Sequence, residues 1–217
     1  MMAEQPDIDS IAAGYDVGAA GYDERHGAAR SITRFQIIDR PQLDAVRNAR
    51  RVLELGCGTG RLLRQVRAPE RIGIDISLGM LSQAPPWLSR AQADAHSLPF
   101  ADESFDGMLA GKGTFRYLDY DRAFAECARV LQVGGCLGTH EYAPVTWSPR
   151  DLFRSTTKAP PASELLERLR AAAASAGLVC DSTHLWRSIR LYPYALPIPE
   201  WLPGNTWSHC VLIFRKP

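Results

Sequence analysis

A glycine-rich run is the part of this sequence whose chemistry is clearest. Gly56, Gly58 and Gly60 alternate directly after the apolar stretch 52–55. Glycine lets the backbone take positive φ angles and approach a ligand closely, and a helix that begins after such a turn offers free N–H groups to an anion. Residues 61–66 are predicted to form that helix. The run therefore predicts a turn that binds a nucleotide-like ligand.

The spacing of these glycines separates two classes of nucleotide-binding protein. The dinucleotide fingerprint G-x-G-x-x-G needs a small residue where this chain has Arg61. A NAD-linked oxidoreductase is therefore a disfavoured alternative. Asp75 ends the next predicted strand, about 20 residues beyond the turn, and an acid at that distance can accept hydrogen bonds from both hydroxyls of a ribose.

Strands and helices alternate along the chain, which predicts an α/β fold. Strands are predicted at 51–55, 72–76, 91–93, 105–110 and 136–142. The helix predicted at 121–131 has apolar residues at i, i+3, i+4 and i+7, and we interpret Gly134 and Gly135 as its end. This alternation predicts a parallel sheet that is covered by helices on both faces.

The last part of the chain breaks the alternation. A helix is predicted at 164–176, with Gly177 just after its end. The strands predicted at 183–191 and 209–215 have no helix between them, so their simplest pairing is antiparallel. The connector 192–207 is rich in proline and aromatic residues.

Four motifs follow one another along the chain. They are the glycine run 54–60, the acid-containing segment 73–77, the pair of segments 93–100 and 104–106, and the helix-to-turn segment 129–135. Together they resemble the class I S-adenosylmethionine (SAM)-dependent methyltransferases, in particular the small-molecule branch that includes the quinone-biosynthesis C-methyltransferases. The resemblance covers roughly residues 15–142. It implies a doubly wound, Rossmann-like sheet of seven mostly parallel strands with an antiparallel C-terminal strand, and SAM as the cofactor.

The resemblance assigns a part of SAM to each motif. The N–H groups of the glycine run suit the methionine carboxylate, Glu54 suits the ammonium group, and Asp75 suits the ribose. Asp94 occupies the position of the family's acid for the adenine amino group, and Ile76 and Met80 are expected on the faces of that ring. The predicted cofactor-binding residues are Tyr22, Glu54, Gly56, Cys57, Gly58, Gly60, Asp75, Ile76, Met80, Asp94, Ala95, Gly111 and Lys112.

Methyl transfer is an in-line displacement at carbon, so the main task of such a protein is to align the reacting atoms. No metal is required. A general base helps where the acceptor is a hydroxyl group or an acidic carbon. His140 and Glu141, at the end of the fifth predicted strand, are candidates for this base, and His140 is preferred because ligands of open α/β sheets bind at that edge. His26 is the second candidate catalytic residue, and an enzyme with no protein base is the alternative.

The length of 217 residues fits one domain. Within it, we expect residues 1–45 to form a helical cap, whose Tyr22 belongs to a Tyr-Asp repeat that often closes over SAM in the resembled family. The segments 143–161 and 192–207 are candidate substrate caps. Their aromatic residues would suit a flat or apolar acceptor, and the equal alternatives are cover for a sheet edge or a dimer contact.

Composition limits the classes of partner and ligand that this chain is expected to bind. A formal net charge of +1 gives no general attraction to nucleic acid or to an anionic membrane. The cysteine count is five, which is odd, and no C-x-x-C pair occurs, which argues against a disulfide framework and a zinc site. No apolar run approaches the roughly 18 residues of a membrane span. We therefore expect a cytoplasmic protein that is a monomer or a homodimer.

These observations predict an enzyme that transfers a methyl group from SAM to a small-molecule acceptor, with oxygen, carbon and nitrogen all open as the methylated atom. A non-catalytic SAM-binding subunit or regulator of the same fold is the alternative.

Overall fold

A computed structural model describes residues 7–25, 37–141, 162–191, 194–198 and 209–217, and a central sheet organises them. The strands are β1 Arg51–Leu55, β2 Glu70–Asp75, β3 Ser89–Gln92, β4 Phe105–Ala110, β5 Leu131–Glu141, β6 Val179–Leu191, β7 Tyr194–Ile198 and β8 His209–Arg215. Their spatial order is β3-β2-β1-β4-β5-β8-β6-β7. The strands β1 to β5 are parallel to one another, whereas β8 runs antiparallel to both β5 and β6.

The predicted fold class is confirmed. The first five strands, β6 and β8 form the expected mixed sheet, and the pair predicted to be antiparallel is so. The eighth strand, β7, was not predicted, because its residues fall in the proline-rich connector. It forms a hairpin with β6 in which Leu191 pairs with Tyr194, and its Pro197 is tolerated because β7 is an edge strand.

Six helices and two short 3-10 turns connect the strands of the described ranges. The helices are α1 Ile8–Gly18, α2 Tyr22–Arg25, α3 Arg40–Ala45, α4 Leu78–Ser82, α5 Tyr120–Val130 and α6 Ala162–Ser175, and the 3-10 turns are Leu63–Gln65 and Phe115–Tyr117. Among the described residues, no helix has the length and apolar character needed to cross a membrane.

Two local predictions were wrong. The helix expected at 61–66 is only the 3-10 turn Leu63–Gln65, because Val66 is already extended at ψ 139° and Pro69 follows. Gly134 and Gly135 do not end a helix, since α5 ends at Val130 and both glycines lie within β5. Gly134, at φ 80°, donates its N–H to the Lys216 carbonyl, which ties this irregular start of β5 to the C-terminus.

Two apolar layers hold the sheet between its helices. One face packs Phe105 and Phe214 against Phe124 of α5 and the apolar side of α6. The other face carries Val52 and Val211 against α3 and the turn after β1. This sandwich fixes the strands, so that the C-terminal ends of the parallel strands meet at one edge, where ligands of such folds bind.

Candidate active site

A cavity of about 360 Å³ opens at this edge of the sheet. Its floor and walls are the turn after β1, the end of β2, the residues after β3 and the loop after β4. The helix α1 supplies its roof through Ile8, Ile11 and Tyr15. Residues from almost every segment that the sequence motifs identified therefore line the cavity.

The turn after β1 exposes backbone to the cavity. Gly56 and Gly58 have φ angles of 61° and 54°, which L side chains rarely adopt. A Cβ atom at Gly58 would lie 2.9 Å from Cε of Met80, and both residues line the cavity. A larger residue at position 58 would therefore displace the Met80 side chain and change the shape of the cavity.

Asp75 is locked in place by the backbone. Its Oδ2 accepts a hydrogen bond from the Gly58 N–H at 2.8 Å, and its Oδ1 accepts one from the Ser77 N–H at 2.9 Å. Burial raises the pKa of this carboxyl, and these N–H groups only partly oppose the shift. Each oxygen can still accept from another donor, so the group can bind two adjacent hydroxyls.

Glu54 is a buried acid below the turn. It is 2% exposed, and its Oε2 accepts a hydrogen bond from the Leu63 N–H at 2.9 Å. A Cβ atom at Gly111 would lie 3.3 Å from the other oxygen, Oε1. Glu54 thus both holds the 3-10 turn and puts negative charge into the cavity wall.

Asp94 is oriented by a histidine. Its Oδ1 contacts both the backbone N–H of His96 at 2.9 Å and Nδ1 of the His96 ring at 2.8 Å. The Asp119 N–H donates to Nε2 of the same ring at 2.8 Å. Because Nε2 accepts, the neutral ring carries its proton on Nδ1 and donates it to Asp94. His96 therefore links this carboxylate to the start of α5.

The N-terminal helices are fastened to both sides of the cavity. On one side, Asp16 accepts from the Ser77 hydroxyl at 2.5 Å and from the Gly79 N–H at 2.7 Å. On the other side, Asp23 accepts from the Thr59 hydroxyl at 2.7 Å. These contacts span the glycine turn and the start of α4, so α1 and α2 form a cover over the ligand space.

The loop after β4 forms the far wall. Lys112, Thr114, Arg116 and Tyr117 line the cavity there. The hydroxyl oxygens of Tyr117 and Tyr15 lie 3.1 Å apart, and their rings meet edge to face. Burial and this contact raise the pKa of Tyr15, so its hydroxyl keeps its proton at neutral pH.

The comparisons with known proteins agree with this geometry. The family model described as a methyltransferase domain matches residues 53–138. A demethylmenaquinone methyltransferase of Renibacterium salmoninarum is 30% identical over 209 residues, which cover 92% of this chain and 84% of that protein. The chain belongs to the class I SAM-dependent methyltransferases. It is accordingly an enzyme whose cofactor is SAM.

Solved structures share the fold at low sequence identity. A SAM-dependent methyltransferase of Thermotoga maritima, described as a possible histamine N-methyltransferase, has a TM-score of 0.64 at 22% identity and covers 95% of this chain and 100% of that one. The cyclase SpnF has a TM-score of 0.66 at 22% identity and covers 100% of this chain and 98% of that one. These likenesses support the fold alone.

The cavity of this methyltransferase contains nearly all of the predicted cofactor-binding residues. Those that line it are Tyr22, Glu54, Gly56, Cys57, Gly58, Asp75, Ile76, Met80, Asp94, Ala95, Gly111 and Lys112. Gly60 is not among the lining residues. A Cβ atom there would lie 2.5 Å from Leu88, so Gly60 serves the packing of the turn. Their individual contacts with SAM stay predictions.

Cys57 lines the cavity as a protonated thiol. Burial, together with the carboxylates of Glu54 and Asp75, raises the pKa of Cys57. A Cβ atom at Gly73 would lie 2.5 Å from its Sγ, so the side chain packs tightly against β2. This fits the interpretation of Cys57 as a small turn residue rather than a nucleophile.

Neither His140 nor its neighbour Glu141 is among the residues that line this cavity. His140 is fully buried on the α3 face of the sheet, with Nδ1 2.6 Å from Asp39 Oδ1. A group with no exposed surface cannot contact an acceptor directly, so the structure gives His140 no direct role. His26 lies outside the described residues, as do the segment 143–161 and most of 192–207.

Sequence reasoning predicted a helical cap over residues 1–45 and the position of Lys112, but not the contacts that build the roof and the rest of the far wall. The motifs gave no sign that Asp16 holds α1 or that Arg116 and Tyr117 line the cavity. Their contacts join residues about 60 to 100 positions apart, as in the pairs Asp16–Ser77 and Tyr15–Tyr117. Only the Tyr-Asp repeat at Tyr15 and Tyr22 pointed to this region.

Proposed function

We propose that the enzyme transfers the methyl group of SAM to a small apolar or aromatic molecule, and that a quinol of the demethylmenaquinone type is the leading acceptor. The observation that carries this proposal is the mixed lining of the cavity. Its acids, Glu54, Asp75 and Asp94, come from β1, the end of β2 and the segment after β3, whereas Tyr15, Tyr117 and Leu118 come from α1 and the loop after β4. The acids suit the cofactor, and the aromatic residues suit a flat acceptor.

We assign the three acids and the glycine turn to SAM group by group. Asp75 accepts hydrogen bonds from the ribose hydroxyls, and Asp94 accepts one from the adenine amino group. Glu54 lies nearest the ammonium group of the methionine arm, and the bare backbone of Gly56 and Gly58 admits its carboxylate. Glu54 is buried, Asp75 and Asp94 are half-buried, and all three line the cavity together with Gly58, which supports this fit.

SAM supplies a methyl group on a sulfonium, which is already activated for displacement. The work of the protein is therefore orientation and exclusion of water. The cover formed by α1 and α2 supports that task, as does the Tyr15–Tyr117 contact above the cavity. We propose that residues 1–45 act as this helical cap within a single domain.

The test is a methyl-transfer assay with demethylmenaquinone reduced by dithionite. We expect a product heavier by one methyl group in place of one hydrogen, together with an equal amount of S-adenosylhomocysteine, both measured by mass spectrometry. Phenols, amines and acyl thioesters are the comparison acceptors, and a reaction with S-adenosylhomocysteine in place of SAM is the blank.

Binding must be measured in parallel by calorimetric titration with S-adenosylhomocysteine. Binding without product from any acceptor would support the non-catalytic alternative. Product from amines or thioesters but not from the quinol would overturn the choice of acceptor while leaving the methyltransferase activity in place.

A further inference from the structure

The His96 ring joins two segments that line the cavity. Asp94, two residues earlier in the chain, lines it after β3, and Leu118 lines it after β4. The ring contacts the Asp94 side chain and the backbone N–H of Asp119, which directly follows Leu118 and caps α5. Only 11% of the His96 side chain is exposed. The ring is therefore enclosed between an acid of the cavity wall and the start of a helix.

Both nitrogens of the His96 ring are used by the protein itself. The Asp119 N–H is a backbone donor, so Nε2 accepts its hydrogen bond at 2.8 Å. Nδ1 of the neutral ring then carries the proton, and it donates this proton to Asp94 Oδ1 at 2.8 Å. A ring turned over about its bond to Cβ would lose both hydrogen bonds. The pair of contacts therefore fixes the orientation of the ring.

The fixed ring holds one oxygen of Asp94. Oδ1 accepts from the His96 ring and from the His96 backbone N–H at 2.9 Å. Every hydrogen bond that the described residues donate to this carboxylate goes to Oδ1, so Oδ2 keeps its lone pairs for a ligand. The Asp94 side chain is 38% exposed, and without the ring it would have to be ordered when a ligand binds, which costs conformational entropy.

A comparison with Asp75 shows what the ring contributes. Asp75 receives two backbone N–H groups, one on each oxygen, from Gly58 and Ser77. Asp94 receives only one N–H from the backbone of the described residues, and the second hydrogen bond comes from the His96 ring. The orientation of Asp94 therefore depends on a side chain that can be substituted, whereas the orientation of Asp75 does not.

We infer that His96 is a positioning residue that sets the selectivity of the enzyme for the adenine ring of SAM. This rests on the proposed function, which places the adenine amino group at Asp94. An amino group donates to a carboxylate, whereas the 6-oxo group of hypoxanthine offers only lone pairs and is repelled by it. The discrimination depends on where the Asp94 oxygens lie, and His96 holds them there. His96 is not among the cavity-lining residues, so it acts through Asp94.

Three variants of His96 separate its two hydrogen bonds. The amide nitrogen of asparagine lies as many bonds from Cβ as Nδ1 does, so His96→Asn keeps a donor for Asp94. The amide oxygen of glutamine lies as many bonds from Cβ as Nε2 does, so His96→Gln keeps an acceptor for the Asp119 N–H. His96→Ala removes both. The matched control is His184→Gln, because His184 lies on β6 and its Nε2 contacts the Ser182 hydroxyl.

The first experiment compares two ligands by calorimetric titration: S-adenosylhomocysteine, and S-inosylhomocysteine, which has an oxo group in place of the amino group. We expect the wild type to prefer the adenine compound by roughly 10-fold or more. The preference should fall by about 3- to 10-fold in His96→Ala and His96→Gln and should largely return in His96→Asn. An unfolded fraction affects both ligands equally, so a merely structural role would leave the preference unchanged. His184→Gln should keep the wild-type preference.

The second experiment reads the hydrogen bonds without any ligand. The chain has five histidines, so long-range ¹H–¹⁵N spectra can be assigned with single variants. We expect the neutral His96 ring to carry its proton on Nδ1. The amide hydrogen of Asp119 should exchange faster in His96→Ala than in the wild type and should keep its protection in His96→Gln. A neutral His96 ring protonated on Nε2 would overturn the inference.

The two levels of the proposal fail differently. A wild-type protein that binds S-adenosylhomocysteine and S-inosylhomocysteine equally would overturn the placement of adenine at Asp94, and the inference with it. A clear wild-type preference that stays within about twofold in His96→Ala would overturn the role of His96 alone, while supporting that placement. A wild-type protein that binds neither compound would overturn the proposed cofactor site.

Discussion

At the scale of single residues, the backbone positions Asp75 before any cofactor binds. Both of its oxygens accept N–H groups, from Gly58 and from Ser77. Asparagine has only one oxygen, so Asp75→Asn leaves one N–H without an acceptor and removes the charge that suits a ribose diol. We expect the affinity for S-adenosylhomocysteine to fall by about 1–3 kcal/mol in a calorimetric titration.

The control for this variant is Glu70→Gln. Glu70 lies at the other end of β2 with its side chain 67% exposed, and its substitution should leave the affinity unchanged. An Asp75→Asn protein that binds as tightly as the wild type would contradict the placement of the ribose.

Alanine variants of two glycines with positive φ angles distinguish the effect of backbone strain from a loss of cofactor binding. Gly58 lines the cavity at φ 54°, whereas Gly134, at φ 80°, has open space where a Cβ atom would lie. Alanine at either position takes on a left-handed conformation that costs roughly 1–2 kcal/mol. Urea unfolding should therefore show a loss of stability in both variants. Only Gly58→Ala should weaken the binding of S-adenosylhomocysteine. Equal affinities of the two variants for this compound would contradict the proposed cofactor position.

At the scale of elements, one carboxylate of α1 fastens this helix to the start of α4. Asp16 accepts from both the Ser77 hydroxyl and the Gly79 N–H, and these hydrogen bonds lower its pKa. Gly79 permits the contact because a Cβ atom there would lie 2.9 Å from Cα of Asp16. Asp16→Ala should loosen the roof, so we expect faster amide hydrogen exchange over Ile8–Gly18 and weaker cofactor binding.

Asp9→Ala is the control for this variant, because Asp9 is an exposed acid of the same helix. If the amide hydrogens of α1 exchanged no faster in Asp16→Ala than in Asp9→Ala, the roof would be held by something other than the Asp16 carboxylate.

The elements show what the sequence can predict. β1, β4 and β8 begin and end where their apolar patterns indicated, because burial between two helical layers leaves a local signal. Gly56 and Gly58 of the glycine run, Asp75 at the end of β2 and Asp94 after β3 all line the one cavity. The turn Leu63–Gln65 and the strand β7 were missed, since their form depends on tertiary contacts and edge pairing rather than on periodicity.

At the scale of the whole molecule, the site depends on pairs of residues that are distant in sequence. Asp39 and His140 are 101 positions apart, and Tyr15 and Tyr117 are 102 apart. No local pattern can report such a pair. This is why the sequence directed attention to His140 at the correct sheet edge, but could not show that His140 is buried or that His209 lies next to it.

Burial within the assembled sheet also creates a pH dependence of stability. Glu141, at the end of β5, is 1% exposed, and its Oε1 accepts the Phe115 N–H at 3.0 Å. Burial raises its pKa from 4.5 to about 8, against the opposing effects of that N–H and of Arg116. Between these two values the folded state holds one more proton than the unfolded state. The contribution of Glu141 to the free energy of unfolding is therefore complete below about pH 4.5 and is lost as the pH rises to about 8.

Glu141→Gln isolates this contribution, because glutamine keeps an acceptor for the Phe115 N–H and does not titrate. The free energy of unfolding of the wild type should fall relative to the variant by about 1.4 kcal/mol per pH unit across that window and level off above it. Urea unfolding of both proteins at pH 5, 6, 7, 8 and 9 measures the difference, and other titrating groups cancel because they are common to both. A difference that stays constant with pH would mean that Glu141 is ionised in the folded protein.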